Sequence, residues 1–329
     1  MAREFTAESI FGIARSFMEC RLLLTGVEMN LFSLVASAPL SAEEIAGKVS
    51  GDLRATMVLL DALSALGFLE KKDNHYRTAP SLIPLLSDSE PTSILPGLQH
   101  SAHLWQTWSQ LTDIVHRGGP AKRGDTVFAD GRLSAFIGAM HVGAAGAADG
   151  IVAAINPGPA KALIDIGGGS GSYTIAFLKA SPEMKATLFD LPPVVEMARK
   201  RFSEAGLLDR VTLVPGDFNQ DTLPSGHDLA LLSAIIHQNS PEQNLALYQN
   251  IFQALASGGR IVIRDHVMET DRTKPVSGAI FAVNMLVNTS GGGTYTFEEI
   301  REGLTKAKFD RVKLLQTQGM FSLVEAFKP

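Results

Sequence analysis

The sequence predicts an α/β protein with two domains: a mainly helical, winged-helix-like domain at residues 1–98, and linker helices with a Rossmann-like, seven-stranded domain at residues 99–329. Three observations lead to this fold class. The length of 329 residues exceeds one typical domain and suits two, each with its own core. The first 100 residues show helical patterns followed by a hairpin signal. From residue 162 onward, strand and helix patterns alternate, which is typical of a parallel sheet with helices on both faces.

Composition excludes several classes of protein. Apolar residues make up 45% and charged residues 19%, an ordinary globular mix, and the net charge of −5 does not suit a nucleic acid partner. Cys20 is the only cysteine, which excludes an internal disulfide and a zinc site built of thiolates. No stretch approaches ~18 uninterrupted apolar residues, and residues 1–19 mix charged with apolar residues, unlike a signal peptide. We therefore expect a cytoplasmic protein with no membrane segment.

Helix and hairpin signals define the N-terminal domain. Ser41 and Glu44 have the spacing of a capping box at a helix start, and Asp73-Asn74 is typical of a hairpin turn. In chain order, the predicted elements are helical residues at Leu22–Val35, Ala42–Lys48 and Leu53–Leu66, then a two-stranded wing at Phe68–Tyr76. Helix, turn, helix and wing form the winged-helix pattern.

A winged helix raises the alternative of a ligand-responsive DNA-binding regulator, which the charges disfavour. The helix that would enter the major groove carries Arg54 as its only basic residue. Between Ser41 and Asp88, five basic residues (Lys48, Arg54, Lys71, Lys72, Arg77) stand against seven acidic ones (Glu43, Glu44, Asp52, Asp61, Glu70, Asp73, Asp88). A protein that reads DNA needs the opposite balance. Packing or dimerisation is therefore the favoured role of this domain.

The remainder of the chain is predicted as linker helices and a sheet. Pro91–Pro96 marks the domain boundary, and single helices are predicted at His100–Val115 and Leu133–Ile155. Later helices include Pro241–Ala256 and one capped by Thr296 with Glu299. The seven predicted strands are Ala162–Ile166, Ala186–Asp190, Val211–Val214, Leu229–Ala234, Arg260–Asp265, Val312–Gln316 and Leu323–Phe327.

A glycine loop follows the first of these strands. Gly167, Gly169 and Gly171 allow a ligand to approach the backbone where a Cβ would collide, and a helix begins directly afterwards. The nicotinamide fingerprint needs a further glycine where Ser172 or Thr174 stands, so it is not met. Asp165 places a carboxylate beside the glycines. That charge suits a cationic ligand, such as one with an ammonium and a sulfonium, better than a phosphate.

Two further acids follow the next predicted strands. Asp190, with Leu191 after it, stands where it can accept hydrogen bonds from both hydroxyls of a ribose. Asp217 can accept from an adenine amino group while Phe218 packs on the ring. A single aspartate at a strand end is commonly only a helix cap. Acids at three successive strand ends predict an adenosyl cofactor, S-adenosylmethionine, with S-adenosylhomocysteine as its product.

With these motifs, the sequence resembles the two-domain S-adenosylmethionine-dependent O-methyltransferase family of plant phenolic and bacterial secondary-metabolite enzymes. The resemblance covers nearly the whole chain. It implies a transferase that methylates a hydroxyl of a small aromatic or polyketide-like acceptor, and a homodimer formed through the N-terminal domain. The segments that carry it are the glycine loop, Phe189–Pro192, Gly216–Phe218, Ser233–His237 and the N-terminal segment Gly26–Phe32.

The resemblance places a general base at His237, with Asp265 positioned to orient its imidazole. Methyl transfer is an in-line displacement, so the acceptor must be deprotonated and aimed at the sulfonium. Positioning can supply about 7–11 kcal/mol, and a positioned base contributes ~10²–10⁴-fold. The alternative interpretation of His237 is a histidine satisfied at a strand end.

The sequence departs from the family pattern at several positions. Gln238-Asn239 stand where the family has aspartate and an aromatic residue, and Thr294 occupies the place of a second glutamate. Ser233 stands at the position of a lysine near the adenine in some plant members. These departures leave room for an N- or C-methyltransferase, or for a relative that binds the cofactor without methylating.

The resemblance also assigns an acceptor pocket, although each of its residues has an alternative role in packing. Phe136 and Met140 are four residues apart on one helix face, as core contacts are. The candidates are Trp105, Phe136, Met140, Asn284, Met285 and Asn288.

A metal site is not expected. His100 and His103 have helical spacing but lack neighbouring carboxylates or cysteines. The histidine-base family that the sequence resembles uses no metal.

Overall fold

The computed structural model describes residues 4–120, 132–318 and 320–329. These form two compact units, one of residues 4–106 with 132–139 and the other of residues 107–120 with 140–329. A helix, Leu95–Trp108, runs through the predicted domain boundary after residue 98. That boundary stays a prediction.

The first unit contains the predicted winged-helix pattern. The wing is a hairpin whose turn residues Asp73 and Asn74 both have positive φ, at 48° and 58°, as a tight hairpin turn requires. A short additional strand pairs with it, so the sheet order is β1-β3-β2. The helices are α1 (Ala7–Arg15), α2 (Phe17–Glu28), α3 (Leu31–Leu34), α4 (Ala42–Lys48), α5 (Leu53–Ala65), α6 (Ile83–Leu86) and α7 (Leu95–Trp108); the strands are β1 (Leu40–Ser41), β2 (Leu69–Lys72) and β3 (His75–Thr78).

The helical pattern predicted at Leu22–Val35 belongs to two helices. Helix α2 ends at Glu28, and Asn30 adopts a left-handed conformation with φ of 52° before α3 begins. Asparagine tolerates this conformation better than most residues because its short polar side chain forms local hydrogen bonds. The turn brings Leu31 and Phe32 into the core of this unit, where both are fully buried.

Two further helices predicted as single elements are each divided. Residues His100–Val115 belong to α7 and to α8 (Leu111–Arg117), and Leu133–Ile155 to α9 (Arg132–Ala145) and α10 (Ala148–Ile155). The second break lies at Gly146-Ala147, where glycine weakens a helix. The helical periodicity of the sequence continues through both breaks and did not reveal them.

The second unit is built on a seven-stranded sheet, and all seven predicted strands are confirmed. The order is β11-β12-β8-β7-β4-β5-β6. Strand β12 runs antiparallel to both of its neighbours. Its pairing with β11 must be antiparallel, because only two residues separate the two strands and so short a connection cannot join parallel strands. The strands are β4 (Ala162–Ile166), β5 (Lys185–Asp190), β6 (Val211–Pro215), β7 (His227–Ser233), β8 (Leu255–Asp265), β11 (Asp310–Gln318) and β12 (Phe321–Phe327).

Helices cover both faces of this sheet, and each face has its own core. Along β4, Ile164 faces one core and Leu163 the other, as the alternation of a strand requires. The predicted capping box of Thr296 with Glu299 opens α15. The remaining elements are α11 (Ser172–Ala180), α12 (Pro192–Glu204), α13 (Pro241–Ala254), α14 (Val276–Asn288), α15 (Phe297–Lys306), and a small parallel pair, β9 (Val267–Met268) and β10 (Tyr295–Thr296).

In the described part of the chain, no single helix is long and apolar enough to cross a membrane, and one bent pair, Leu133–Ala144 with Ala148–Ile155, passes by length and composition only.

Candidate active site

The glycine loop lies between the carboxyl end of β4 and the start of α11. Gly167, Gly169 and Gly171 all have positive φ, at 66°, 56° and 77°. A Cβ on Gly167 would lie 2.3 Å from Ile235 Cδ1, and one on Gly171 would lie 2.7 Å from Phe202. A Cβ on Gly169 would meet no described atom within 4 Å. Only Gly169 therefore presents open backbone to a ligand, whereas the other two glycines are required by packing within the protein.

The carboxylate of Asp190 holds this loop in place. It accepts hydrogen bonds from the backbone N–H of Gly169 and of Leu191, both at 2.7 Å. Burial raises the pKa of Asp190, and these two hydrogen bonds oppose that shift. Each carboxylate oxygen has a further lone pair, so the predicted contacts with two ribose hydroxyls are compatible with this geometry.

Asp165 lies beneath the loop and is only 2% exposed. It accepts a hydrogen bond of 2.5 Å from the hydroxyl of Thr174 on α11. Burial raises its pKa to about 7. A buried carboxylate that is costly to ionise favours a cation nearby, which is consistent with the ligand charge predicted from the sequence.

Asp217 and Phe218 follow β6. The carboxylate of Asp217 accepts hydrogen bonds from the Asn219 backbone at 2.9 Å and from the Gln220 side chain at 2.6 Å, which fixes the turn. Phe218 packs against the core beside Gly167. Their predicted contacts with adenine stay predictions.

His237 and Asp265 meet at the ends of β7 and β8. The imidazole Nδ1 lies 2.8 Å from Asp265 Oδ1, which also accepts the backbone N–H of His266 at 2.7 Å. The His237 side chain is 12% exposed and that of Asp265 is fully buried. Because the carboxylate accepts from Nδ1, the nitrogen left to take a proton is Nε2.

Two aromatic side chains around this pair were missed in the sequence. The ring of Phe281, on α14, meets the imidazole of His237 edge-on at 4.8 Å between ring centroids. Phe281 also stacks on His266 at 4.1 Å. Burial lowers the pKa of His266 to about 4, so this histidine is neutral at pH 7. The only sequence signal for His266 was its position directly after Asp265.

The turn that carries His237 is anchored from several sides. The carbonyl of His237 accepts the Gly293 backbone N–H at 2.8 Å, and Asn244 donates to the carbonyl of Ile236 at 2.9 Å. Asn239 is buried, and its side-chain amide donates to Asn244 Oδ1 at 3.2 Å, while its backbone carbonyl accepts from the hydroxyl of Tyr295. The departure from the family pattern at Asn239 thus has a structural use, and Thr294 is buried beside Tyr295.

Among the predicted acceptor residues of the second unit, several are engaged in internal contacts. Trp108 donates to Asn284 Oδ1 at 2.9 Å, and Thr107 donates to Asn288 Oδ1 at 3.0 Å. Asn288 donates its amide back to Asn284. Met285 is buried, whereas Met140 is 41% exposed. Of these four, Met140 has the most surface available to an acceptor.

Trp105 and Phe136 belong to the first unit. The guanidinium of Arg21 lies over the ring of Trp105, 5.7 Å from its centroid. Phe136 is partly exposed and meets His100 edge-on at 5.3 Å. Their predicted role toward an acceptor stays a prediction.

No group of three or more potential metal ligands occurs among the residues that the structure describes. The expected absence of a metal itself stays a prediction.

The sheet order, the open backbone at Gly169 and the acids after successive strands fit the class that the sequence resembles, the S-adenosylmethionine-dependent methyltransferases. Comparison with known proteins then gives the family. An O-methyltransferase domain matches residues 139–310, and an O-methyltransferase dimerisation domain matches residues 11–81. The chain belongs to this O-methyltransferase family.

Individual relatives extend over nearly the full length. The 3-hydroxy-5-methyl-1-naphthoate 3-O-methyltransferase of Streptomyces sahachiroi is 30% identical over 92% of this chain and 90% of its own. The L-tyrosine C(3)-methyltransferase of Streptomyces lavendulae is 28% identical over 86% of this chain and 81% of its own. The structure of PigF with S-adenosylhomocysteine, a methyltransferase of Serratia, matches with a TM-score of 0.88 and 26% identity over 98% of this chain and 100% of that one. The chain is an S-adenosylmethionine-dependent methyltransferase.

Proposed function

We propose that this enzyme methylates a hydroxyl of a small aromatic or polyketide-like acceptor, with His237 as the general base. The observation that supports this most is the 2.8 Å contact between His237 Nδ1 and the buried carboxylate of Asp265. It leaves Nε2 as the proton acceptor on a ring that is still partly exposed.

The His237–Asp265 pair performs the proton transfer in this proposal. Asp265 holds the tautomer that carries its proton on Nδ1, and His237 Nε2 takes the proton of the acceptor hydroxyl. The imidazolium that forms is stabilised by the adjacent carboxylate, which accepts its Nδ1–H throughout. S-adenosylmethionine supplies an electrophilic methyl group on a sulfonium. Phe281 covers one side of the base, and His266, which is neutral at pH 7, adds no charge that would compete with Asp265 for the imidazole.

For the cofactor, we propose that the protein holds its parts at separate strand ends. Asp190 with Leu191 takes the ribose, and Asp217 with Phe218 takes the adenine. Ser233 lines the same edge, and Asp165 lies beneath the loop, where a bound cation favours its ionised form. Gly167, Gly169 and Gly171 form the backbone turn, with the open approach at Gly169.

For the acceptor, we propose that Met140, Asn284, Met285 and Asn288 contact it. Trp105 and Phe136 are proposed as further contacts only because of the resemblance to the O-methyltransferase family. Two chains are proposed to pair through the N-terminal unit. The matched dimerisation domain and the exposed apolar side chains of α1 and α2 support a homodimer.

The proposed reaction is tested by product formation. The purified chain is incubated with S-adenosylmethionine and a panel of phenols, hydroxynaphthoates and hydroxyquinones, and the release of S-adenosylhomocysteine is measured. We expect acceptor-dependent release, with a methyl ether as the second product. Release that does not depend on any hydroxylated acceptor would contradict the proposal.

A C-methyltransferase is the second candidate, favoured by the similarity to the L-tyrosine C(3)-methyltransferase. The same base serves both reactions, because a phenolate is nucleophilic at oxygen and at the adjacent ring carbon. The orientation of the acceptor then decides which atom receives the methyl group. NMR of the product separates a methoxy group from a methyl group on the ring carbon.

A further inference from the structure

Arg264 is a buried guanidinium at the candidate cofactor edge. It lies at the carboxyl end of β8, in register with Ser233 on β7, and is 8% exposed. Its Nη1 lies 3.4 Å from the hydroxyl of Ser233, a long contact. Its Nε has no hydrogen-bond partner, and no acidic side chain forms a salt bridge with it, within the described ranges.

Two aromatic rings hold this guanidinium in place. Its central carbon lies 3.9 Å from the centroid of Phe321 on β12 and 5.2 Å from that of Tyr173. Tyr173 stands in the first turn of α11, immediately after the glycine loop. Stacking on rings fixes the plane of a guanidinium but leaves the N–H donors within that plane for another acceptor. Arg264 therefore lies beside the first turn of α11, and its Nε has no partner among the described residues.

Arg260 is a second guanidinium on the same strand, and its partners differ from those of Arg264. It lies four residues earlier, on the same face of β8, and donates to Glu325 at 2.8 Å. It also donates to the carbonyls of Ile155 and Asn156. Arg260 is thus neutralised inside the protein. Burial lowers the pKa of Arg264, and the charges of Tyr173 and Asp265 oppose that shift only in part. Among the described residues, no carboxylate forms an ion pair with Arg264 as Glu325 does with Arg260.

We propose that Arg264 binds a carboxylate at this edge, which is supplied either by the amino acid part of the cofactor or by an acidic acceptor. The inference deepens the proposed function and rests on it. A guanidinium binds a carboxylate through two parallel hydrogen bonds, which matches its unfilled donors. A single carboxylate also suits the site better than a multiply charged phosphate, because Asp165 and Asp190 lie at the same edge.

The first experiment compares two adenosyl ligands by calorimetry. S-adenosylhomocysteine carries the amino acid carboxylate, and 5′-methylthioadenosine lacks the amino acid part. If the carboxylate is that of the cofactor, Arg264→Met loses about tenfold or more in affinity for the first ligand and none for the second. Arg264→Lys keeps the charge without the planar fork, so it recovers part of the loss.

The second experiment addresses the acceptor as the source. A hydroxynaphthoate and its methyl ester are titrated into the protein saturated with S-adenosylhomocysteine. If the carboxylate is that of the acceptor, Arg264→Met binds the cofactor product as the wild type does but loses about tenfold in its preference for the acid over the ester.

Arg260→Met is the matched control, because it removes a guanidinium from the same strand and face. We expect it to lower the melting temperature without changing either affinity ratio. The inference is overturned if Arg264→Met and Arg264→Lys match the wild type in both ratios. A wild-type protein that binds no S-adenosylhomocysteine would instead contradict the proposed function itself.

Discussion

At the scale of single residues, the His237–Asp265 pair depends on the position of one carboxylate. Asp265 is fully buried, and the same oxygen accepts from the His237 ring and from the His266 backbone. Its other oxygen has no hydrogen-bond partner among the described residues. Asp265 Oδ1 is therefore the one hydrogen-bond acceptor described for His237 Nδ1, while Phe281 contacts the ring without a hydrogen bond.

We expect His237→Ala to lower turnover by ~10²–10⁴-fold. Asp265→Asn should also lower turnover, because an amide that donates to Nδ1 selects the wrong tautomer. The double variant should be little worse than His237→Ala alone, since the two residues act as a unit. Turnover is measured with an acceptor found in the panel. The control is the affinity for S-adenosylhomocysteine, which should be unchanged in all three variants. Turnover near the wild-type level in His237→Ala would remove this histidine from the mechanism.

Asp165 links the charge of the site to the stability of the fold. Burial raises its pKa to about 7 from an ordinary value of 3.8, while the hydrogen bond from Thr174 opposes the shift. The folded protein therefore retains a proton that the unfolded chain releases. The stability that this bound proton contributes is fully present below pH 3.8, the pKa of Asp165 in the unfolded chain. It is lost as the pH rises through about 7, the pKa of Asp165 in the folded protein.

We expect Asp165→Asn to raise the free energy of unfolding of the ligand-free protein above pH 7 by about 2–4 kcal/mol, and to flatten its decline between the two pKa values. The same change should lower the affinity for S-adenosylmethionine more than the affinity for S-adenosylhomocysteine, because only the first ligand carries a sulfonium. Thermal unfolding across the pH range and calorimetry with both ligands measure the two effects. This account of Asp165 would be contradicted by a variant that is less stable than the wild type at high pH. It would also be contradicted if the affinities for both ligands fell by the same factor.

At the scale of elements, two glycines of the same loop are expected to have different roles: Gly169 in ligand binding and Gly171 in packing. Gly169→Ala places a methyl group in open space, at a cost of ~1–2 kcal/mol for the left-handed backbone. We expect it to lower the affinity for S-adenosylhomocysteine by about tenfold or more, since the methyl group occupies the open side of the loop. Gly171→Ala has the same backbone cost and also meets Phe202 at 2.7 Å, so it should be the less stable variant. Melting temperature and calorimetry are compared for both. Equal ligand affinities in Gly169→Ala and the wild type would show that this side of the loop is not used.

The elements around this loop were predictable from sequence because local chemistry determines them. Short apolar runs that alternate with helical patterns place the seven strands. Capping boxes place the helix starts at Thr296 and, in the N-terminal unit, at Ser41. Asp165 and Asp190 follow from their positions near strand ends, since the carboxyl ends of parallel strands share one edge. His237 was assigned by the resemblance to the O-methyltransferase family. The helix break at Gly146-Ala147 was not predictable from periodicity, because apolar residues continue on both sides of it.

The residues that the sequence did not reveal are those placed by packing between distant elements. Phe281 comes from α14 and Phe321 from β12, yet both contact His266. Arg264 stands in a strand pattern where an apolar residue would be expected, and its environment depends on rings from α11 and β12. Such contacts have no fixed spacing along the chain.

At the scale of the whole molecule, the N-terminal unit presents apolar surface that a monomer would leave in water. Helix α1 contains no buried residue. Five large apolar side chains on α1 and α2 are about half exposed: Ile10, Phe11, Ile13, Phe17 and Met18. These residues lie within or next to the matched dimerisation domain at 11–81. Burial of such a patch against a second copy would be strongly favourable at roughly 25 cal/mol per Å² of apolar surface.

We therefore expect Phe11→Glu and Ile13→Glu to raise the dissociation constant of the homodimer by about tenfold or more, because a carboxylate in an apolar interface must be desolvated. Sedimentation over a range of protein concentrations measures this constant. The matched control is Leu208→Glu, which adds the same charge at an exposed apolar residue outside the dimerisation domain and should leave association unchanged. Because α1 contributes no buried residue to its own unit, the helix variants should keep the wild-type melting behaviour of the monomer. A wild-type chain that sediments as a monomer at micromolar concentration would reject the homodimer. Association unchanged by either helix variant would move the interface away from α1.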